Sequence, residues 1–333
     1  MMAGVGSALV LGGTEFLGVH LVEGLLAAGW EVTLFNRGLT GPDLFASSVR
    51  LRGDRDGDVS ALAGGEWDVV FDLSAYHPDQ VVRSARYLVD RCRHYVLVSS
   101  VSVYAHLPGP GTTEDGVLAR IEGPVPREVD GASYGPLKVL CEERVTELFP
   151  SRTVVRPTVV VGPGDPSDRF TYWVRRLAEG GAHVVPPDMT RPVQHIDARD
   201  LAAWMVGLGA GRVNGVFNAA AEPVPFGDLA QVIADVAGVD LRPVQLTGEQ
   251  MTVEGVRPWA DLPLWLPPED VDMRGFFQVD ASRAVHAGLR VRPLADTVRD
   301  TLEWARGRDD DELRTGLSRE RDQDLAARYA PGS

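Results

Sequence analysis

Short apolar runs alternate along this chain with segments whose apolar residues recur every three or four positions. The first run, Ser7 to Leu11, reads as a buried strand. Phe16, Leu17, His20, Leu21, Leu25 and Leu26 follow it at helical spacing. Further runs at Glu31–Phe35, Val49–Asp54, Trp67–Leu73, His94–Val98, Arg152–Val155 and Val216–Ala220 read as strands. Trp67–Leu73 is a nearly continuous apolar run broken by Asp68 and Asp72, as expected of a strand covered on both faces. Helical periodicity falls on 78–92, 132–143, 168–180, 197–208, 226–237 and 296–307, and Pro192–Asp197 reads as one short strand. The alternation predicts an α/β fold, a Rossmann-type doubly wound parallel sheet, with functional residues gathered at the carboxyl ends of its strands.

The first strand leads into Gly12-Gly13-Thr14-Glu15-Phe16-Leu17-Gly18. A strand, a glycine turn and a helix in this order are the opening of a dinucleotide-binding unit. Gly12 permits the tight turn and Gly18 lets the helix lie close to the strand. The N–H groups and dipole at the helix start suit a pyrophosphate. Thr14, Glu15, Phe16 and Leu17 of this turn are candidate cofactor contacts. Asn36 and Arg37 end the second strand where an acid often holds the adenosine ribose; with Arg37 there instead, a 2′-phosphate is accommodated and NADP(H) is favoured over NAD(H). Glu15 pulls the other way, since its carboxylate lies near the same ribose. Asp54 follows the third strand where the adenine would lie, and Leu73, Ser74 and Ala75 border the cofactor from the fourth. The predicted division is a cofactor domain over 1–165, to which 190–220 returns, a smaller C-terminal substrate-binding region over 166–306, and a charged tail over 307–333 that is partly helical or loose. Residues 105–131, rich in Pro, Gly and acids, read as a loop over the active site.

Composition narrows the partners. The 333 residues are 44% hydrophobic and 24% charged, a globular balance, with a net charge of -14. That charge weighs against nucleic acid and against an anionic membrane surface. No apolar run approaches the roughly 18 residues that span a bilayer. The N-terminal apolar run has no cationic segment before it and reads as a strand, not a signal peptide. Cys92 and Cys141 form neither a CxxC motif nor a disulfide framework, so no metal is predicted and a reducing, cytoplasmic setting is the simplest reading.

The fifth strand runs into Ser99-Ser100-Val101-Ser102-Val103-Tyr104, and the helix after the loop begins Ser133-Tyr134-Gly135-Pro136-Leu137-Lys138. Tyr134 and Lys138, four apart, share one helix face. A free phenol has a pKa of about 10, and a nearby ammonium stabilises the phenolate and lowers it. Such a tyrosine exchanges a proton with a substrate oxygen while a serine hydroxyl holds that oxygen. Aromatic residues at 170–173 and 259–277 are core or pocket, and His195 with Asp197 is either a second acid/base pair or a structural one.

The motifs GGTEFLG (12–18), VSSVSVY (98–104), SYGPLK (133–138), RPTVVVGPGD (156–165) and IDARDLA (196–202) resemble the extended short-chain dehydrogenase/reductase superfamily of NAD-dependent epimerases, dehydratases and reductases. The GGTxF turn with Asn36-Arg37-Gly38 is similar to an atypical subgroup that includes plant chloroplast stem-loop RNA-binding proteins. The resemblance implies that Ser100 is the catalytic serine, Tyr134 the general acid/base, and Lys138 the residue that holds the nicotinamide ribose and depresses the Tyr134 pKa. It implies that Ser99, Pro157 and Val159 border the nicotinamide, and that the protein forms a homodimer. Three departures shape the expected chemistry. Glu15 stands for the family's middle glycine. Val101 and Ser102 replace the Asp-Glu pair of sugar dehydratases. Val159 stands where nucleotide-sugar enzymes carry asparagine. The expected function is therefore NAD(P)(H)-dependent reduction of a carbonyl on a small, partly apolar metabolite. The alternatives are a nucleotide-sugar epimerase, with Arg175 or Arg191 clamping a diphosphate, and a non-catalytic nucleotide- or RNA-binding protein.

Overall fold

The computed structural model describes residues 6–308 and 313–330. Seven parallel strands form its central sheet: β1 (Ser7–Leu11), β2 (Glu31–Asn36), β3 (Val49–Arg52), β4 (Trp67–Asp72), β5 (Cys92–Val98), β6 (Arg152–Pro157) and, after shorter strands described below, β11 (Gly215–Ala219). Their order is β11-β6-β5-β4-β1-β2-β3. The order reverses beside β1, which places a crevice outside the carboxyl ends of β1 and β4.

The period-two alternation of each strand sorts its side chains between two helical layers. Ala8 and Val10 of β1 face one way and pack with Leu21, Val22 and Leu25 of α1 (Leu17–Ala27) and with Leu201, Met205 and Leu208 of a later helix, α5 (Ala198–Gly211). Leu9 and Leu11 face the other way and pack with Val81 and Leu88 of α2 (Pro78–Leu88) and with Cys141 and Val145 of α3 (Tyr134–Leu148). The helix expected over 78–92 is shorter than its periodicity suggested. It stops at Leu88, and Cys92 already begins β5 beside Trp67. His77 and Gln80 cap its start reciprocally, with Pro78 at the first helical position.

The remaining segments follow β6. They are β7 (Val159–Val161), α4 (Arg169–Leu177), β8 (Gly181–Val185), β9 (Pro192–Val193), β10 (His195–Asp197), α5 (Ala198–Gly211), β12 (Val224–Pro225), α6 (Phe226–Ala237), β13 (Leu241–Gln245), α7 (Gly248–Glu254), α8 (Ser282–His286), α9 (Leu294–Arg306) and α10 (Arg319–Tyr329). The single strand expected over 192–197 is in fact two. Pro192 and Val193 pair antiparallel with β12, whereas His195–Asp197 pair in parallel with β7. Residues 105–131 form no helix or strand, but isolated bridges join Tyr104 to Leu118 and Thr112 to Val279. Val101, Val103 and Tyr104 after β5, Val159 and Val161 of β7, and apolar residues of α4, α6, α9 and α10 make a third core, in which Phe170, Tyr172 and Trp173 are wholly buried.

The charged C-terminal segment is not loose over 319–329. Its helix α10 is pinned by Asp322, which is fully buried, accepts from the Val184 N–H at 2.8 Å and pairs with His183 Nδ1 at 2.7 Å. Asp322→Ala leaves these partners buried and unsatisfied, at about 1–3 kcal/mol each. The expected result is a loss of about 2–4 kcal/mol in urea unfolding, with early proteolytic release of α10. Unchanged stability and protection would contradict the pin. No helix among the described residues is long and apolar enough to cross a membrane, and no group of three or more His, Cys, Asp or Glu there could hold a metal ion.

Candidate active site

A cleft of about 1000 Å³ lies along the carboxyl ends of β1, β2, β4, β5 and β6. It stands at the upper end of the roughly 300–1000 Å³ of small-molecule sites. The glycine turn forms one wall. Gly12 and Gly13 have φ of +113° and +92°, a region L side chains rarely enter. A Cβ on Gly18 would lie 2.6 Å from the Gly13 Cα, so only glycine lets α1 approach the turn this closely. Phe16, the residue before α1, has φ +41° and gives the helix no side-chain cap. The turn, the uncapped helix start and the open space beside Gly12, whose nearest obstacle is Leu73 at 3.6 Å, fit the pyrophosphate of a dinucleotide.

Thr14, Glu15, Phe16, Leu17, Asn36, Arg37, Asp54, Leu73, Ser74, Ser99, Ser100, Tyr134, Pro157 and Val159 all line this one cleft. Lys138 and Ala75 do not line it. Asn36 is occupied locally, its Oδ1 accepting from the Gly38 N–H at 2.9 Å, while Arg37 is exposed and its guanidinium has no partner among the described residues. Asp54 accepts from the Asp56 N–H within its own turn.

Helix α3 carries Tyr134, Lys138 and Glu142 at four-residue spacing, so all three face the strand ends. Gly135 allows the close approach, since a Cβ there would lie 2.0 Å from the Ser102 carbonyl oxygen. This seats Tyr134 against the turn after β5, where Ser100 Oγ accepts from the Ser102 N–H and donates to Ser102 Oγ, both at 3.1 Å. Lys138 is 2% exposed and donates to the carbonyls of Ala75 and Val98 at 2.8 and 2.7 Å, with Nζ 5.2 Å from the centre of the Tyr76 ring. It clips α3 to the ends of β4 and β5. The Tyr134 phenol is pushed up to about 12, by burial first and then by Tyr76, while Ser100 and Arg169 pull it down. That direction is opposite to the depression by Lys138 that the motif implies.

Two buried ion pairs underlie the cleft. Arg55 donates to both oxygens of Asp72 at 2.7 and 2.9 Å, and the Tyr95 hydroxyl donates to Asp72 at 2.5 Å. Arg156 donates to both oxygens of Glu142 at 3.0 and 2.6 Å, and Ser99 Oγ donates to Glu142 at 2.5 Å, so the Ser99 hydroxyl is engaged below the cleft. Neither His195 nor Asp197 lines it. His195 is buried against Phe170 and held down to about 4 by burial, and Asp197 caps α5 through the Arg199 N–H. Arg175 and Arg191 also lie outside the lining.

Sequence reading passed over Tyr76, Thr158, Asp165, Ser167 and Arg169, which line the cleft, and left Trp259 and Phe276 open between core and pocket; both are at its wall. The only sequence signal for Asp165 was its place at the end of the GPGD motif; Arg169 carried none.

A family model described as the NAD dependent epimerase/dehydratase family matches residues 8–220. A curated relative, chloroplast stem-loop binding protein of 41 kDa b from Arabidopsis thaliana, is 28% identical over 249 residues. That match covers 69% of this chain and 63% of the relative, so the chain spans less than two thirds of the relative's length. Among solved structures, a candidate epimerase from Burkholderia cenocepacia J2315 is 19% identical, with a TM-score of 0.71 over 91% of this chain and 98% of the other. UDP-glucuronic acid 4-epimerase from Bacillus cereus, solved with NAD, is 17% identical, with a TM-score of 0.63 over 90% and 96%. These likenesses show a shared fold.

Proposed function

The chain belongs to the NAD dependent epimerase/dehydratase family, and on that premise we propose that it is an NAD(P)(H)-dependent oxidoreductase that reduces a carbonyl on a small, partly apolar metabolite. The carrying observation is that the glycine turn, Ser100 and Tyr134 line one continuous cleft. The turn over 12–18, Arg37, Leu73, Pro157 and Val159 hold the dinucleotide. The bound nicotinamide supplies hydride. Ser100, turning its hydroxyl proton away from Ser102 Oγ, donates a hydrogen bond to the substrate oxygen, and Tyr134 gives that oxygen its proton. A phenol held up at about 12 is protonated at neutral pH and so is present as the donor that a reduction needs. Lys138 contributes by holding α3, and Tyr134 on it, at a fixed distance from the strand ends.

Arg37, exposed and unpartnered at the end of β2, selects the 2′-phosphate of NADP(H). Fluorescence titration with NADPH and NADH tests this. Wild type is expected to prefer NADPH, and Arg37→Ala to lose roughly tenfold or more of NADPH affinity with little change for NADH. If neither cofactor binds, the oxidoreductase reading falls.

Nucleotide-sugar epimerisation is the second reading. It draws on relatives such as the Bacillus cereus enzyme, and it predicts cofactor retained through purification with no net consumption. The placement of Arg175 and Arg191 outside the cleft weighs against it. The Arabidopsis relative is named a stem-loop binding protein; the net charge of -14 opposes nucleic-acid binding by this chain.

A further inference from the structure

Three cations line the cleft: Arg37, Arg55 and Arg169. Arg37 belongs to the glycine-turn half, and Arg55 is consumed by Asp72. Arg169 is different. Its guanidinium lies 5.3 Å from the centre of the Trp259 ring, and no hydrogen bond or ion pair holds it among the described residues. It gains nothing from its own helix, because it is the first residue of α4, whose N-terminal end is the positive one. The backbone is strained on both sides of this contact. Asp168, which launches α4, has φ +57°, and Trp259 has φ +63°. Asp165 lines the same wall, 2% exposed, with Oδ1 accepting from the Ser167 N–H at 2.8 Å and Oδ2 buried without a partner. Thr158 Oγ1 is also buried and unpartnered there. The wall therefore offers one forked cation, an apolar face made by Trp259 and Phe276, and unsatisfied polar atoms.

A guanidinium stacked on an aromatic ring keeps its donor edge free and matches the two oxygens of a carboxylate. A single guanidinium matches the one charge of a carboxylate and not the two charges of a diphosphate. We propose that Arg169 is the specificity-determining residue of this cleft, taking the carboxylate of a monoanionic substrate whose apolar body lies on Trp259 and Phe276 and whose carbonyl reaches Ser100 and Tyr134. This deepens the oxidoreductase reading and rests on it.

The test titrates phenylpyruvate and its methyl ester into the full chain by calorimetry, with and without NADPH, for wild type, Arg169→Gln and Arg169→Lys. Wild type is expected to bind the acid roughly 10–100-fold more tightly than the ester. Arg169→Gln should erase that preference and leave ester binding unchanged. Arg169→Lys should restore part of it, since the charge returns without the fork. A wild type that prefers the ester or binds neither compound, or a preference that survives in Arg169→Gln, overturns the assignment. NADPH affinity, read separately, is expected to be equal in all three proteins. Its absence from wild type overturns the oxidoreductase reading, while the acid-to-ester ratio still decides the role of Arg169.

Discussion

Tyr134→Phe is expected to lower the rate of carbonyl reduction by roughly 10²–10⁴-fold, the range set by loss of a positioned proton donor. NADPH affinity should stay within about twofold, because the ring, its contact with Tyr76 at 6.4 Å and the helix that carries it are retained. The pH profile provides a second readout. A donor must be protonated, so reduction loses rate as pH rises through the phenol's pKa. With that value pushed up to about 12 by burial and Tyr76, wild-type reduction should stay level across the neutral and mildly alkaline range as far as this group is concerned. A fall beginning near neutrality that disappears in Tyr134→Phe would mean a depressed phenol, as the Lys138 motif implies. Full turnover in Tyr134→Phe on an identified carbonyl substrate would remove Tyr134 from the chemistry.

The largest loss of stability is expected from Arg55→Met. Asp72 is fully buried at the end of β4, and Arg55 supplies two of its hydrogen bonds. Removing one partner of a buried pair strands the other charge, at about 3–5 kcal/mol. A chain of this size should lose roughly 5–15 °C in Tm. The triple variant Arg55→Met/Asp72→Met/Tyr95→Phe, which removes the ion pair and the hydroxyl that donates to it, should recover most of the loss, as apolar replacement of buried pairs commonly does. A single variant as stable as wild type would show that the pair contributes nothing. The same network sets part of the acid limb. Burial opposes ionisation of Asp72, yet Arg55 and Tyr95 hold its carboxyl below the usual carboxylate range. Its contribution is therefore present above the unfolded value of about 3.9 and is lost as pH falls below that. His195 acts earlier. Held down to about 4 by burial, it favours the fold above about 6.5, and that contribution is lost as pH falls from there towards 4.

What could be read from the sequence was local. The Val69–Phe71 run of β4 is apolar because both faces of the strand are covered, and the Gly12–Gly18 spacing is a backbone requirement written in residue type, so both were legible. So was the shared face of Tyr134 and Lys138, which follows from helical period alone. What that face points at was not. Lys138 meets the carbonyls of Ala75 and Val98, which lie 63 and 40 residues away, and no periodicity encodes a partner at that range. The hexapeptide 192–197 has strand character throughout, but its division between β12 and β7 is set by tertiary position. Arg169 looked like any surface charge of an amphipathic helix until Trp259, 90 positions on in the numbering, was found beneath it. The highly charged 319–329 segment suggested solvent, and the buried Asp322 that helps to anchor it cannot be told by composition from the acids around it.

The Asp322 anchor also bears on the order in which the cleft is assembled. It joins positions 139 residues apart, and the entropy of closing a loop rises with the logarithm of its length, about 0.6 kcal/mol for each doubling. The strands that carry the glycine turn pair with near neighbours in the chain, as Ser7 does with Glu31, and long-range contacts form late. During refolding the glycine-turn wall would therefore stand before the wall that bears Arg169 has its full backing. A half-made molecule of this kind has somewhere to hold a nucleotide and nothing yet to select what that nucleotide would react with.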